Sequence, residues 1–158
     1  MLKDLCRALA SEGLEVTVVG RDERKLAEAT RGDARLHPLS IDYEDIEAFR
    51  AALDDAAAAR GAIVLAICWV RSWAPDALRA ASRAVAPGGR FVHVLGSQRS
   101  DASDAAIAEL KGSTALVYQQ VQLGAIPGRW LTNEEISAGV YAAVCADTPY
   151  YLVGTIAP

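Results

Sequence analysis

The chain has 158 residues, 52% of them apolar and 23% charged, enough for one domain with its own core and no disulfide or metal staple. Sixteen basic against 20 acidic residues leave a net charge of −4, which argues against the basic stripe of a nucleic-acid binder. No apolar run reaches the roughly 18–20 residues of a membrane helix, the start lacks a signal peptide's apolar core, and Cys6, Cys68 and Cys145 are too scattered for a disulfide framework or a zinc pair. The expectation is one cytoplasmic domain spanning 1–158, bound to no membrane, nucleic acid or metal.

Helical and strand signals alternate along the chain. Leu2–Glu12 reads as a helix, with Leu2, Leu5, Cys6 and Leu9 on one face and Gly13 as its stop. Glu15–Gly20 is a β-branched strand, and Asp22 can cap a helix over Glu23–Thr30. Arg35–Ile41 can be a short strand that Pro38 moves toward an edge. Asp42 or Glu44 then opens a helix, Asp45–Ala59, with Ile46, Phe49 and Leu53 at helical spacing. The continuous apolar run Ala62–Val70 fits a strand buried on both faces.

Pro75 suits the first turn of a helix over Asp76–Val85, and Pro87-Gly88-Gly89 reads as a turn. Arg90–Leu95 is a strand closed by Gly96-Ser97, Asp104–Lys111 a short helix and Ala115–Leu123 a strand. Gly124 and Pro127-Gly128 mark a flexible loop. Asn133 can cap a helix over Glu134–Ala146, and Tyr150–Ile156 is the last strand. Strands separated by crossover helices predict an α/β fold: three layers, α/β/α, doubly wound around a mainly parallel sheet. Ligands bind beyond the carboxyl ends of such strands, here Gly20-Arg21, Asp42-Tyr43, Cys68–Trp73, Gly96–Arg99 and Gly124–Pro127.

The order of these segments resembles a short-chain dehydrogenase/reductase: a helix, a strand ending V-V-G-R-D, one ending I-D-Y, the apolar strand I-V-L-A-I-C-W, then G-G-R-F-V-H-V-L-G-S. The family's opening strand and G-x-G-x-x-G loop would lie before Met1. The resemblance implies a Rossmann-like sheet with its first strand missing from between Glu15–Gly20 and Ala62–Val70. The strands flanking the break would pair directly, take a strand from another chain, or belong to a protein that starts upstream; the last is the expectation.

It also implies a dinucleotide, NADP or else NAD, and a small carbonyl or alcohol substrate. Arg21 would reach the 2′-phosphate of NADP, since guanidinium pairs bidentately with phosphate; alternatively it is an exposed arginine before a helix. Asp42 would accept from the adenine amine or cap the next helix, and Tyr43 would pack beside the adenine or cover the helix. Cys68 and Trp69 replace the family's Asn-Ala-Gly segment and, with Gly96, would line the cofactor site; Trp69 either points into the core, which is the expectation, or obstructs the nicotinamide side, and Cys68 is expected to be an inert thiol. Ser97 matches the position of the family's catalytic serine, which hydrogen-bonds the substrate oxygen, or is a loop serine that caps the segment after the strand.

The Tyr-x-x-x-Lys pair is not visible. Tyr118 is the candidate catalytic tyrosine, but its stretch, Leu116–Leu123, reads as strand, Gln122 stands at the lysine position, and a neutral amide cannot lower a phenol pKa by charge. His37 and His93 have no companions for a metal site. The expectation is an atypical or truncated NADP-dependent oxidoreductase, with a non-catalytic dinucleotide-binding or regulatory protein as the alternative. A homo-oligomer is expected, and an oligomerising fragment that binds no nucleotide remains open. Without the glycine loop's grip on the pyrophosphate, weak or no cofactor binding by these 158 residues is expected, with the amino end of the first helix still able to hold an anion weakly.

Overall fold

The structure is a computed structural model, and it describes residues 1–96 and 100–156. Helix α1 (Lys3–Ser11) buries Leu5, Leu9 and Ala10. Gly13, at φ +94°, turns the chain out of it, and the Leu14 N–H donates back to the Leu9 carbonyl at 3.3 Å, a closure that favours glycine. Strand β1 (Val16–Gly20) follows. Asp22 caps α2 (Glu23–Thr30) by accepting from the Lys25 N–H at 3.0 Å. After β2 (Leu36–Ser40), α3 (Ile46–Arg60) is capped by Asp45, which accepts from the Ala48 N–H at 3.1 Å. Neither Asp42 nor Glu44 caps it: Asp42 closes a local turn with the Glu44 N–H at 3.0 Å.

The second half comprises β3 (Ile63–Cys68), α4 (Pro75–Arg83), β4 (Val85–Leu95), α5 (Asp101–Lys111), β5 (Val117–Leu123), β6 (Ala125–Ile126), β7 (Arg129–Trp130), α6 (Asn133–Ala146) and β8 (Tyr150–Val153). Strands β3-β4-β5-β8 form one parallel sheet, β1 and β2 a separate parallel pair, and β6 and β7 an antiparallel hairpin. The expected α/β parallel architecture is present. Among the described residues β1 pairs only with β2 and β3 only with β4, so the strands flanking the expected break do not close onto each other.

Two apolar layers cover the sheet. Leu5 and Leu9 of α1 pack with Ile136, Val140 and Ala143 of α6 against Val92, Val94 and Val121. Phe49, Leu78, Ala106 and Leu110, from α3, α4 and α5, pack around Phe91 on the other face. Val16 of β1 and Leu65 and Ile67 of β3 all join the first cluster, so the α1 layer spans the break. The Arg60 Nε at the end of α3 also donates to Thr17 Oγ1 of β1 at 3.2 Å.

Four expectations are corrected. The strand predicted over Ala62–Val70 is only half-buried, and Val64 is 61% exposed, because it has a neighbour on one edge alone. Pro87-Gly88-Gly89 lies inside β4, in a bulge where the register passes from Ile63↔Val85 to Leu65↔Arg90. Gly89 is packed there so closely that a Cβ would come within 2.6 Å of Val85 Cγ1 and 3.0 Å of the Val64 carbonyl, so the glycine serves a close approach of two strands. Thr132, rather than Asn133, caps α6, reciprocally with Glu135. The expected flexible loop at 124–128 is the start of the β6–β7 hairpin, whose turn contains Gly128 at φ +82°.

Candidate functional site

Two clusters sit beyond the carboxyl ends of the parallel strands. The first joins three residues singled out from the sequence. Arg21, after β1, places Nη1 3.5 Å from Asp42 Oδ2, after β2, and its guanidinium lies 5.8 Å from the centre of the Tyr43 ring. The parallel pairing of β1 with β2, in register from Val16↔Leu36 to Gly20↔Ser40, brings these ends side by side. Arg21 and Asp42 are about half exposed. The guanidinium therefore has donors left for a further anion.

The second cluster is a pocket of about 190 Å³ formed by the loop after β3, the end of β4, Ser103 of α5 and Trp130 of the hairpin. Trp69 does not enter the core; it is 43% exposed because β3 ends at Cys68 and the next residue lies beyond the sheet. The Arg71 guanidinium is 5.6 Å from the centre of the Trp69 ring and 5.2 Å from that of Trp73, within cation–π range. Ser100 Oγ donates to the Ser72 carbonyl at 2.8 Å and fixes the loop against the start of α5. Gly96 lines the pocket. Burial pushes the Cys68 thiol up to about 12, which leaves it an unreactive thiol at neutral pH.

His93, only 2% exposed, also lines the pocket. Its Nδ1 shares a hydrogen bond of 3.1 Å with the Tyr118 hydroxyl. Tyr118 stands in β5 opposite Phe91 and stacks on it with centroids 6.4 Å apart, so it lies in the sheet and not on a helix. Ser97 lies outside the described residues. Lys111 ends α5, and the residue four before it is the buried Ile107. Gln122 donates to the carbonyls of Leu95 and Gly96 at 3.3 and 3.0 Å, which ties the end of β4 to β5.

Trp73 was not foreseen as a partner of Trp69, nor Gln122 as a tether. A signal for the first is present: Trp69 and Trp73 both fall in the Cys68–Trp73 segment at the carboxyl end of a predicted strand. Arg129 is engaged with both carboxylate oxygens of Glu135, at 2.7 and 2.8 Å. Among the described residues no three His, Cys, Asp or Glu side chains gather into a metal site, and no helix is long and apolar enough to cross a membrane.

No family model matches the sequence, and no curated protein matches it. Solved structures do. A short-chain dehydrogenase from Bacillus anthracis is similar at TM-score 0.68 and 17% identity, covering 96% of this chain and 89% of that one. An apo SCOR enzyme from Clostridium thermocellum is similar at TM-score 0.68 and 14% identity, over 96% of this chain and 86% of that one. A single-substitution variant of the actinorhodin polyketide ketoreductase, solved with NADPH, reaches TM-score 0.71 at 13% identity, over 98% and 90% of the two chains. The order β2-β1 and β3-β4-β5-β8, the two helical layers and these likenesses give the chain the Rossmann fold of the short-chain dehydrogenase/reductases.

Proposed function

We propose that the chain is a short-chain dehydrogenase/reductase-like oxidoreductase that holds NADP through Arg21, Asp42 and Tyr43 and takes a small carbonyl or alcohol substrate in the tryptophan-lined pocket. The convergence of those three side chains at adjacent strand ends carries this reading. Arg21 would pair with the 2′-phosphate, Asp42 would steady the guanidinium from one side, and the Tyr43 ring would offer a face to the adenine. The residues fit such a group: a half-exposed arginine has donors to spare, and a guanidinium matches a phosphate bidentately. Leu2 gives α1 no side-chain cap, so the first-turn N–H groups of that helix can face a further anionic part of the cofactor. When bound, the nicotinamide ring supplies hydride chemistry, and the protein supplies orientation.

The test is a calorimetric titration with NADPH and NADH. Wild type should bind NADPH at least tenfold more tightly, and Arg21→Ala should abolish the difference. Its fold should survive, since an exposed ion pair is worth about 0–1 kcal/mol. Equal affinities in wild type would sink the reading.

One observation favours a non-catalytic dinucleotide-binding protein instead: Tyr118 is in the sheet, hydrogen-bonded to His93, with Gln122 where a lysine would activate it. A screen of carbonyl and alcohol substrates with NADPH separates the two readings. Turnover lost in Ser97→Ala or Tyr118→Phe supports the enzyme; NADPH binding with no turnover of any substrate supports the alternative.

A further inference from the structure

The chain's three tryptophans, Trp69, Trp73 and Trp130, all line one pocket, and each is exposed, at 43%, 60% and 49%. Indoles gathered around one concavity match the aromatic lining typical of small-molecule pockets. Arg71 is the only Lys, Arg, Asp or Glu among the described lining residues. No carboxylate pairs with it among the described residues; its guanidinium rests on the faces of Trp69 and Trp73. Among the described residues the pocket thus presents one positive charge, without a carboxylate partner, framed by aromatic faces.

A second feature points the same way. Helix α4 begins at the pocket wall, where Ala74, Pro75 and Leu78 line it, and Ala74 provides no side-chain cap. Its first-turn N–H groups receive no acceptor from the Ala74 side chain, and the helix dipole adds partial positive charge there; Asp76 of the same turn offsets part of it but is itself paired with Arg79 at 3.0 Å. The volume, about 190 Å³, is below the roughly 300–1,000 Å³ of pockets for drug-sized ligands but above the roughly 150 Å³ of an engineered cavity that holds benzene. It suits one ring with a small substituent.

We infer that this pocket recognises a compact aromatic carboxylate, its ring against the indoles and its carboxylate on Arg71 beside the start of α4. The inference rests on the oxidoreductase reading for its biological sense: the substrate would be a single-ring aromatic acid that also bears the reacting carbonyl or hydroxyl. The arrangement itself needs no cofactor. The stacking of Arg71 between two indoles holds the guanidinium in place before any ligand arrives, so little ordering accompanies binding.

Benzoate, benzamide and cyclohexanecarboxylate are the probes, read by tryptophan fluorescence and by ligand-observed NMR on the full chain without NADPH. Benzoate should bind at least tenfold more tightly than either of the others. Arg71→Gln should reduce benzoate to the level of benzamide and leave benzamide unchanged, while Trp130→Leu should weaken benzoate and benzamide together. The unchanged benzamide affinity shows that the loop of the Arg71 variant is intact. Absence of benzoate binding in wild type, or equal affinity for benzoate and benzamide, overturns the inference. Benzoate binding in a protein that fails to prefer NADPH would overturn only the cofactor reading; NADPH preference without benzoate binding would overturn only this one.

Discussion

Strands β1 and β3, which flank the break, and the inner strands β4 and β5 all carry β-branched residues yet are held very differently. In β4 and β5, Val92, Val94 and Val121 are fully buried between two helical layers. In β1, Val19 is 39% exposed, and in β3, across the break, Val64 is 61% exposed. The difference lies in the neighbours and not in the residues: a strand with partners on both edges and helices on both faces is sealed, and one with a single partner is not. Strand composition therefore reports what a segment can be, while burial is decided by what lies beside it.

The largest effect that sharpens this contrast is expected at Phe91, fully buried among α3, α4 and α5. Phe91→Ala should cost roughly 3–5 kcal/mol, whereas Val64→Ala should stay within about 0.5 kcal/mol; urea denaturation of both variants checks the pair. Comparable losses would mean that β3 is sealed after all. Next comes Gly139 of α6, where an added Cβ would overlap the Val153 side chain of β8. Gly139→Ala should destabilise by about 1–3 kcal/mol through overpacking, a shift readable in Tm. Gly13→Ala meets no neighbour within 4 Å and is strained only by its φ of +94°, so it should cost less.

Thr132→Ala removes half of the reciprocal cap on α6 and should cost about 1 kcal/mol. The same turn has a pH signature. Arg129, and next the Thr132 N–H, hold the Glu135 carboxyl down at about 2 from the ordinary 4.5. A depressed carboxylate contributes stability that is fully present above pH 4.5 and is lost as pH falls through about 2. Wild type should therefore lose stability across that window, and Glu135→Gln should show a flatter acid limb in urea denaturation followed from pH 5 to 2. Identical acid limbs would show that the Arg129 pair holds nothing in the folded state.

Where the hydrophobic period was long and the caps were local, the elements were legible in the sequence. Leu5 and Leu9 are buried on one face of α1 as the apolar stripe predicts, and Asp22 caps α2. Features set by contacts distant in sequence were not. Pro87-Gly88-Gly89 carries turn chemistry, but pairing with β3 draws it into a bulged strand. Core packing is the sequence expectation for Trp69, a bulky ring where the family has small residues, yet the sheet ends one residue earlier and Arg71 offers its ring a partner outside. The meeting of Arg21 with Asp42 was implicit in two predicted strand ends, because parallel neighbours present their carboxyl ends together. The Tyr118–His93 contact was hidden, since only the β4–β5 register shows that the two side chains lie within reach.

Native-state hydrogen exchange tests the division of the sheet most directly. The amides of β4 and β5 should exchange only with the free energy of global unfolding, and those of β1 and β2 should open at a lower free energy, as a separate unit. One common exchange free energy across all these strands would contradict the account.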